Sequence, residues 1–225
     1  MTSYRLKTVA KMTTKGNIAA DIGTDHGYVP IYLVENNICE KVYAMDINEG
    51  PLKIAKKNIT LKGLNNQIVT IQSNGMEKMK NNMADTVIIA GMGGDLIVNI
   101  LKKGESIEGI KELVLSPHRR VDLVREYILD KGWEIIDEKM LIDCGKYYTV
   151  IKAKRGRNDA LYSKMEIKYG RILLDRKDIT LKGYLEKEYS KFSDILNTMK
   201  KNNSEDIKQV ENIIKLNREA YKIYD

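Results

Sequence analysis

A short apolar run, Asn17 to Ala20, ends in Asp21, passes Gly23 and Gly27, and enters an apolar segment from Tyr28 to Val34. That order predicts a strand, a tight loop and a helix start, the ligand-facing unit of an open α/β sheet. No other stretch limits the fold as strongly. Such a loop gathers backbone N–H groups and a helix N-terminus at one point, which suits a nucleoside cofactor lying close to the main chain. Gly23 and Gly27 let the backbone bend and approach a ligand where a Cβ would intrude. A dinucleotide fingerprint would need Gly-x-Gly-x-x-Gly, so that pyrophosphate rests on the helix. Asp25 stands where the second glycine should be, and its charge would repel pyrophosphate; a nicotinamide dehydrogenase is therefore the weakest reading. The plainest alternative is an ordinary strand-to-helix turn with a solvated aspartate.

The rest of the chain repeats this unit. Arg5 to Met12 has the spacing of an amphipathic helix, with Gly16 beyond it. Lys41–Asp46 is a second strand, and Asp46 lies about 20 residues beyond the glycine loop, where an acid meets both ribose hydroxyls of a nucleoside. Its competing reading is a strand-end cap for the next turn. Pro51 opens a helix with Ile54, Ala55 and Ile59 on one face and lysines on the others. Ile68–Gln72 is the third strand, and Ser73-Asn74-Gly75 after it carries an ordinary turn signal. Ala84–Ala90 is the most apolar strand, expected at the centre of the sheet. It runs into Gly91-Met92-Gly93-Gly94 and a helix through Leu96, Ile97, Ile100 and Leu101. Glycines at a strand's carboxyl end admit something bulky against the backbone. Glu112–Ser116 is the fifth strand, followed by Pro117-His118-Arg119-Arg120 and a helix from Val121 to Lys131. Trp133–Met140 and Tyr147–Lys154 close the sheet as an antiparallel pair.

Beyond Arg157 the pattern changes. Leu181, Leu185, Phe192, Ile195 and Met199 recur at helical spacing, and so do Ile207, Val210, Ile214 and Tyr221. Asn202-Asn203-Ser204 is the turn between them, with Ser204 as N-cap and Glu205 and Asp206 in the first turn. We expect a catalytic domain over residues 1–157 and a helical coiled-coil hairpin over 158–225, tethered by Ile172, Leu173 and Leu174. The 225 residues fit one domain with a small appendage. Their formal net charge of +7 favours an anionic partner such as nucleic acid. Cys39 and Cys144 stand far apart and outside metal-ligand spacing, so the expectation is no metal and a reduced, cytoplasmic setting. No segment is long and apolar enough for a membrane.

Asp21-x-Gly23-x-Asp25-x-Gly27 resembles the first motif of Rossmann-like S-adenosylmethionine-dependent methyltransferases, whose cofactor carries an amino group and a sulfonium and so tolerates carboxylates. Together with Asp46 through Pro51 and Ile89-Ala90-Gly91-Met92-Gly93-Gly94, the chain resembles the bacterial tRNA (adenine(22)-N1)-methyltransferase family over nearly its whole length. That resemblance implies an α/β class I methyltransferase fold with a C-terminal coiled coil, S-adenosyl-L-methionine as cofactor and tRNA as substrate. It places the cofactor on Asp21, Gly23, Asp25, His26, Asp46, Ile47, Asn74, Gly75, Ala90, Gly91 and Met92. Asn74 is the position that reaches the adenine amino group. The Asn/Asp-Pro-Pro-aromatic motif of exocyclic-amine methyltransferases is missing after the fourth strand, so a ring nitrogen is the expected acceptor.

Asp21, Asp25, His26 and Tyr28 are the candidate catalytic residues. The two carboxylates would stabilise the cationic product or bind the cofactor. His26 and Tyr28 would stack on the flipped base, or His26 packs the loop. Gly93, Gly94, Pro117, His118, Arg119 and Arg120 are the candidate substrate contacts. Family members tend to carry Gln-Pro-Asn where this chain has Ser116-Pro117-His118. Arg125, Lys152, Lys154, Arg155 and Arg157 join Arg119 and Arg120 as candidate phosphate contacts, each alternatively a solvated surface charge. The helical tail would grip the tRNA body or serve protein association, and a monomer is expected. A small-molecule methyltransferase and a non-catalytic tRNA-binding module are the competing functions.

Overall fold

β1 (Ala19–Ile22), β2 (Val42–Asp46) and β3 (Ile68–Gln72) are short, apolar and separated by helices, so they pair in parallel. The computed structural model describes residues 3–156, 161–202 and 207–225. β4 (Thr86–Met92) and β5 (Glu112–Pro117) extend the parallel sheet on the other side of β1, and β6 (Trp133–Asp143) and β7 (Lys146–Arg155) add an antiparallel hairpin. The seven-stranded order is β3-β2-β1-β4-β5-β7-β6. β4 is thus central, as its apolar character predicts. The strand order reverses between β1 and β4, which opens a crevice at their carboxyl ends.

Alternation along each strand feeds two cores. Ala19, Val42, Ala44 and Ile88 face α1 (Tyr4–Met12), α2 (Tyr28–Glu35) and α3 (Glu49–Leu61). Ala20, Ile22, Val87 and Ile89 face α4 (Gly94–Lys103) and α5 (Val121–Asp130). Two expected core residues are corrected: Ile54 is 42 % and Leu96 49 % exposed. The buried stripes run instead through Leu52, Ala55 and Ile59, and through Ile97, Val98, Ile100 and Leu101.

After β7 the chain forms α6 (Lys164–Tyr169), opened by a Ser163–Glu166 capping box, then α7 (Arg171–Asp175), α8 (Ile179–Lys201) and α9 (Ile207–Tyr221). Lys200 pairs with Glu211 and the Tyr221 hydroxyl donates to Glu186, so α8 and α9 run antiparallel. Buried Glu188 ties the unit together, accepting from the Tyr169 hydroxyl at 2.6 Å, Asn217 at 3.0 Å and the Tyr184 hydroxyl at 3.1 Å. Leu173 and Leu174 are buried in this cluster with Met140 of β6 against it, while Ile172 packs on the sheet core. The expected Ser204 cap with Glu205 and Asp206, and the stretch from Arg157 to Asp159, lie outside the described residues.

Candidate active site

The carboxyl ends of β1 and β4 bound a cleft of about 280 Å³ lined by Arg5, Asp21, Gly23, Asp25, Asp46, Ala90, Gly91, Met92 and His118, with Leu6 and Val29. Each loop reaches it for a local reason. Gly23 has φ +80° and lies under Met92, whose methyl would stand 2.0 Å from any Cβ placed there. Gly91 has φ +85° where the β4–β5 register shifts between Ala90 and Met92, turning the end of β4 toward the cleft. One expectation needs correction: the N–H groups of Gly23 and Thr24 are not offered to a ligand. Both donate to the Met45 carbonyl, at 2.7 and 2.9 Å, and tie the loop to β2.

The cleft carries both signs of charge. Asp21 is 5 % exposed, and burial pushes its carboxyl up to about 7. The nearby Thr24 hydroxyl opposes that shift, while Asp46 and Asp25 reinforce it. Asp46 accepts the Asn48 N–H through Oδ1 at 2.7 Å, so the strand-end cap exists, yet the residue still lines the cleft. Across from these acids sits Arg5, a residue that sequence reasoning missed. Its guanidinium lies over the Tyr148 ring at 5.2 Å, beside Gly91 and His118, and its buried Nη1 has no hydrogen-bond partner among the described residues. His118 is held below the usual imidazole range, first by burial and then by the Arg5 and Lys146 cations. A guanidinium with an unsatisfied Nη1, sharing the cleft with buried Asp21 and the more accessible Asp25 and Asp46, fits a ligand that is itself zwitterionic. S-adenosylmethionine has such an end, so the residues present suit the implied cofactor.

The other predicted residues are distributed as follows. His26 adopts φ +57°, its Nε2 lies 2.9 Å from Asp25, and its ring sits 5.6 Å from that of Tyr28. Neither ring lines the cleft. Ile47 is 53 % exposed and Asn74 is exposed, its amide donating to Glu77 at 2.7 Å, and neither lines the cleft. Gly75, at φ +59°, packs on Ile100. Gly94 is buried, and a Cβ there would lie 2.3 Å from the Arg120 carbonyl oxygen; it serves the junction of α4 with the β5–α5 loop. Gly93 faces the Arg119 side chain. Pro117, Arg119 and Arg120 line a neighbouring cavity with His118. Arg125 is corrected: it is 1 % exposed, bonded to Glu138 at 2.7 Å and to the Ile167 and Lys168 carbonyls, and cannot meet a phosphate. Lys152 is likewise held inside, 3.1 Å from Glu112. Lys154 pairs with Glu134, and Arg155 stacks on Trp133 at 4.1 Å, both remaining exposed. Arg157 lies outside the described residues.

A doubly wound sheet of this order, with an acid ending β2 and glycine turns ending β1 and β4, defines a Rossmann-like methyltransferase, and the family described as a methyltransferase domain matches residues 2–151. The Bacillus subtilis tRNA (adenine(22)-N(1))-methyltransferase is 38 % identical over 172 residues, 76 % of this chain and 72 % of that protein. The crystal structure of the B. subtilis m1A22 tRNA methyltransferase TrmK superposes with TM-score 0.89 at 31 % identity, covering 98 % of this chain and 99 % of that one. M. capricolum TrmK in complex with S-adenosyl-homocysteine superposes with TM-score 0.89 at 34 % identity over 100 % of both chains. The chain belongs to the tRNA (adenine(22)-N(1))-methyltransferase family.

Proposed function

We propose that this protein transfers a methyl group from S-adenosylmethionine to N1 of adenine 22 in the D-arm region of tRNA. The observation that carries the reading is the cleft of mixed charge at the β1–β4 switch point, in a chain that matches tRNA m1A22 methyltransferases from end to end. When bound, the cofactor supplies an electrophilic methyl on a sulfonium. Arg5 suits its carboxylate, Asp21 its ammonium, and Asp46 its ribose hydroxyls, while Gly91 keeps a Cβ out of the space beside Arg5 and His118 and Gly23 makes room for Met92.

Adenine N1 has a free lone pair, so no residue has to remove a proton before attack. The chain's work is to hold the base in line with the methyl, which makes catalysis mainly positional. The methylated ring is cationic, and the carboxylates of Asp21 and Asp25, where the cofactor does not engage them, would oppose that charge. His118, kept neutral by its surroundings, can exchange hydrogen bonds with an uncharged base. The His26 and Tyr28 rings lie close to one another outside the lining of the cleft, which favours a loop-packing role for His26 over stacking on the target base. We assign catalysis to residues 1–157 and read 158–225 as a helical unit that assists tRNA binding. Cys39 and Cys144 are both free thiols, in keeping with a cytoplasmic setting.

The test is incubation with labelled methyl donor and unmodified tRNA, then nucleoside analysis. The label should appear as 1-methyladenosine and vanish with tRNA carrying guanine at position 22. Label in 6-methyladenosine, or none although the donor binds, would overturn the reading.

A further inference from the structure

Behind the His118 ring lies a second cavity, of about 350 Å³. Among the described residues His118 alone lines both this cavity and the cofactor cleft. Its walls come from the β5–α5 loop and the start of α5, from β6 and β7, and from the C-terminal helices. Tyr184 of α8 sets its ring edge-on to Tyr147 of β7, centroids 5.4 Å apart and planes at 70°. Gly183 makes that approach possible. A Cβ there would stand 3.3 Å from the Tyr147 hydroxyl, and glycine is otherwise a poor residue inside a helix.

The charges around the cavity sort into engaged and available. Lys168 is committed to Glu188 and Arg125 to Glu138. Arg119 is exposed and makes no ion pair among the described residues, and Arg120, 53 % exposed, stands 3.6 Å from Asp95 and 4.0 Å from Asp122. Aromatic faces beside accessible guanidinium groups are how proteins receive unpaired nucleotides: bases stack and phosphates pair. The target N1 has to reach the cofactor cleft, on the far side of His118. An occupant of the second cavity therefore sits beside the target in the strand.

We propose that this cavity is a second nucleotide subsite, taking the residue next to the target adenine, with its base against Tyr147 and its phosphate at Arg119 and Arg120. The proposal rests on the tRNA reading above. It gives the C-terminal helices a part in shaping the reaction site, because Tyr184 and Gly183 set the position of Tyr147.

The experiment measures methylation kinetics on tRNA with the full chain. Tyr147→Ala should raise the KM for tRNA roughly 5- to 150-fold, the worth of one base–aromatic stack, while the cofactor Kd stays unchanged. Tyr147→Phe, which keeps the ring, should restore it. An abasic nucleotide at one position flanking adenine 22 should cost the wild type a similar factor and cost Tyr147→Ala nothing more. An unchanged KM in Tyr147→Ala, or an abasic loss that adds in full to that of the variant, overturns the subsite. If the wild type forms no 1-methyladenosine, the tRNA reading falls instead; the same variant-by-abasic comparison, made on RNA binding by fluorescence anisotropy, still decides the subsite.

Discussion

Asp21→Asn should stabilise the protein without ligand while impairing its use of the cofactor. Asp21 is 5 % exposed, and burial lifts its carboxyl from 3.8 to about 7. In the unfolded chain the group ionises near its ordinary value, so between those two pH values the folded state holds a proton that the unfolded state has released. For an acid raised in this way, the stabilising contribution is complete below about 3.8 and is lost as pH rises toward about 7. At about 1.4 kcal/mol per pH unit, that window sets a ceiling of about 4 kcal/mol on the cost of the ionised carboxylate. Asparagine has the same shape and no charge to bury, so the variant escapes the cost. For a chain of this size the gain corresponds to a melting-temperature rise of up to roughly 8–16 °C at pH 8. The difference should narrow through pH 5 and close near pH 4.

The assay is thermal unfolding of both proteins across that pH range, paired with calorimetric titration of S-adenosylmethionine. Wild-type affinity should improve as pH rises through about 7, because an ammonium group selects the ionised carboxylate. Below that pH, uptake should release a proton, seen as a heat that changes with buffer ionisation enthalpy. A stability difference that does not vary between pH 5 and 8, or full cofactor affinity in Asp21→Asn, would refute this account of the site.

Four further outcomes follow from the same geometry. Asp46→Ala should raise the cofactor Kd roughly 10- to 150-fold, the range for hydrogen bonds to a charged group, measured by titration calorimetry. Gly94→Ala puts a Cβ 2.3 Å from one backbone carbonyl oxygen and 2.9 Å from another, so the urea midpoint should fall by the equivalent of about 1–3 kcal/mol. Arg125→Ala leaves Glu138 buried and unpaired and should cost about 3–5 kcal/mol in equilibrium unfolding, much of it recovered in Arg125→Met with Glu138→Leu. Affinity for tRNA should fall as salt rises, and Arg119→Ala should reduce the log–log slope by about 1 in binding assays at several salt concentrations.

What the sequence makes legible here is what its own neighbours decide. Strand, glycine loop and helix follow one another within a few residues, so Asp21, Gly23, Asp25 and Asp46 could be placed at strand ends before any pairing was known. Crossover handedness then leaves few strand orders. The errors have the opposite character. Arg125 and Lys152 read as free cations because nothing beside them in the chain announces Glu138 and Glu112, which arrive from other strands and take the charges inside. Arg5 shows the limit most clearly. On a helix wheel it is one more cation among apolar residues, and its place in the cleft depends on where the start of α1 comes to rest. That is fixed by long-range contacts: its N–H donates to Asp143 at the end of β6, and its guanidinium lies on Tyr148 of β7. The hairpin that closes the sheet therefore positions the arginine that shares the cleft with the three aspartates, and the mixed charge of the cleft is a property of the closed sheet rather than of any motif.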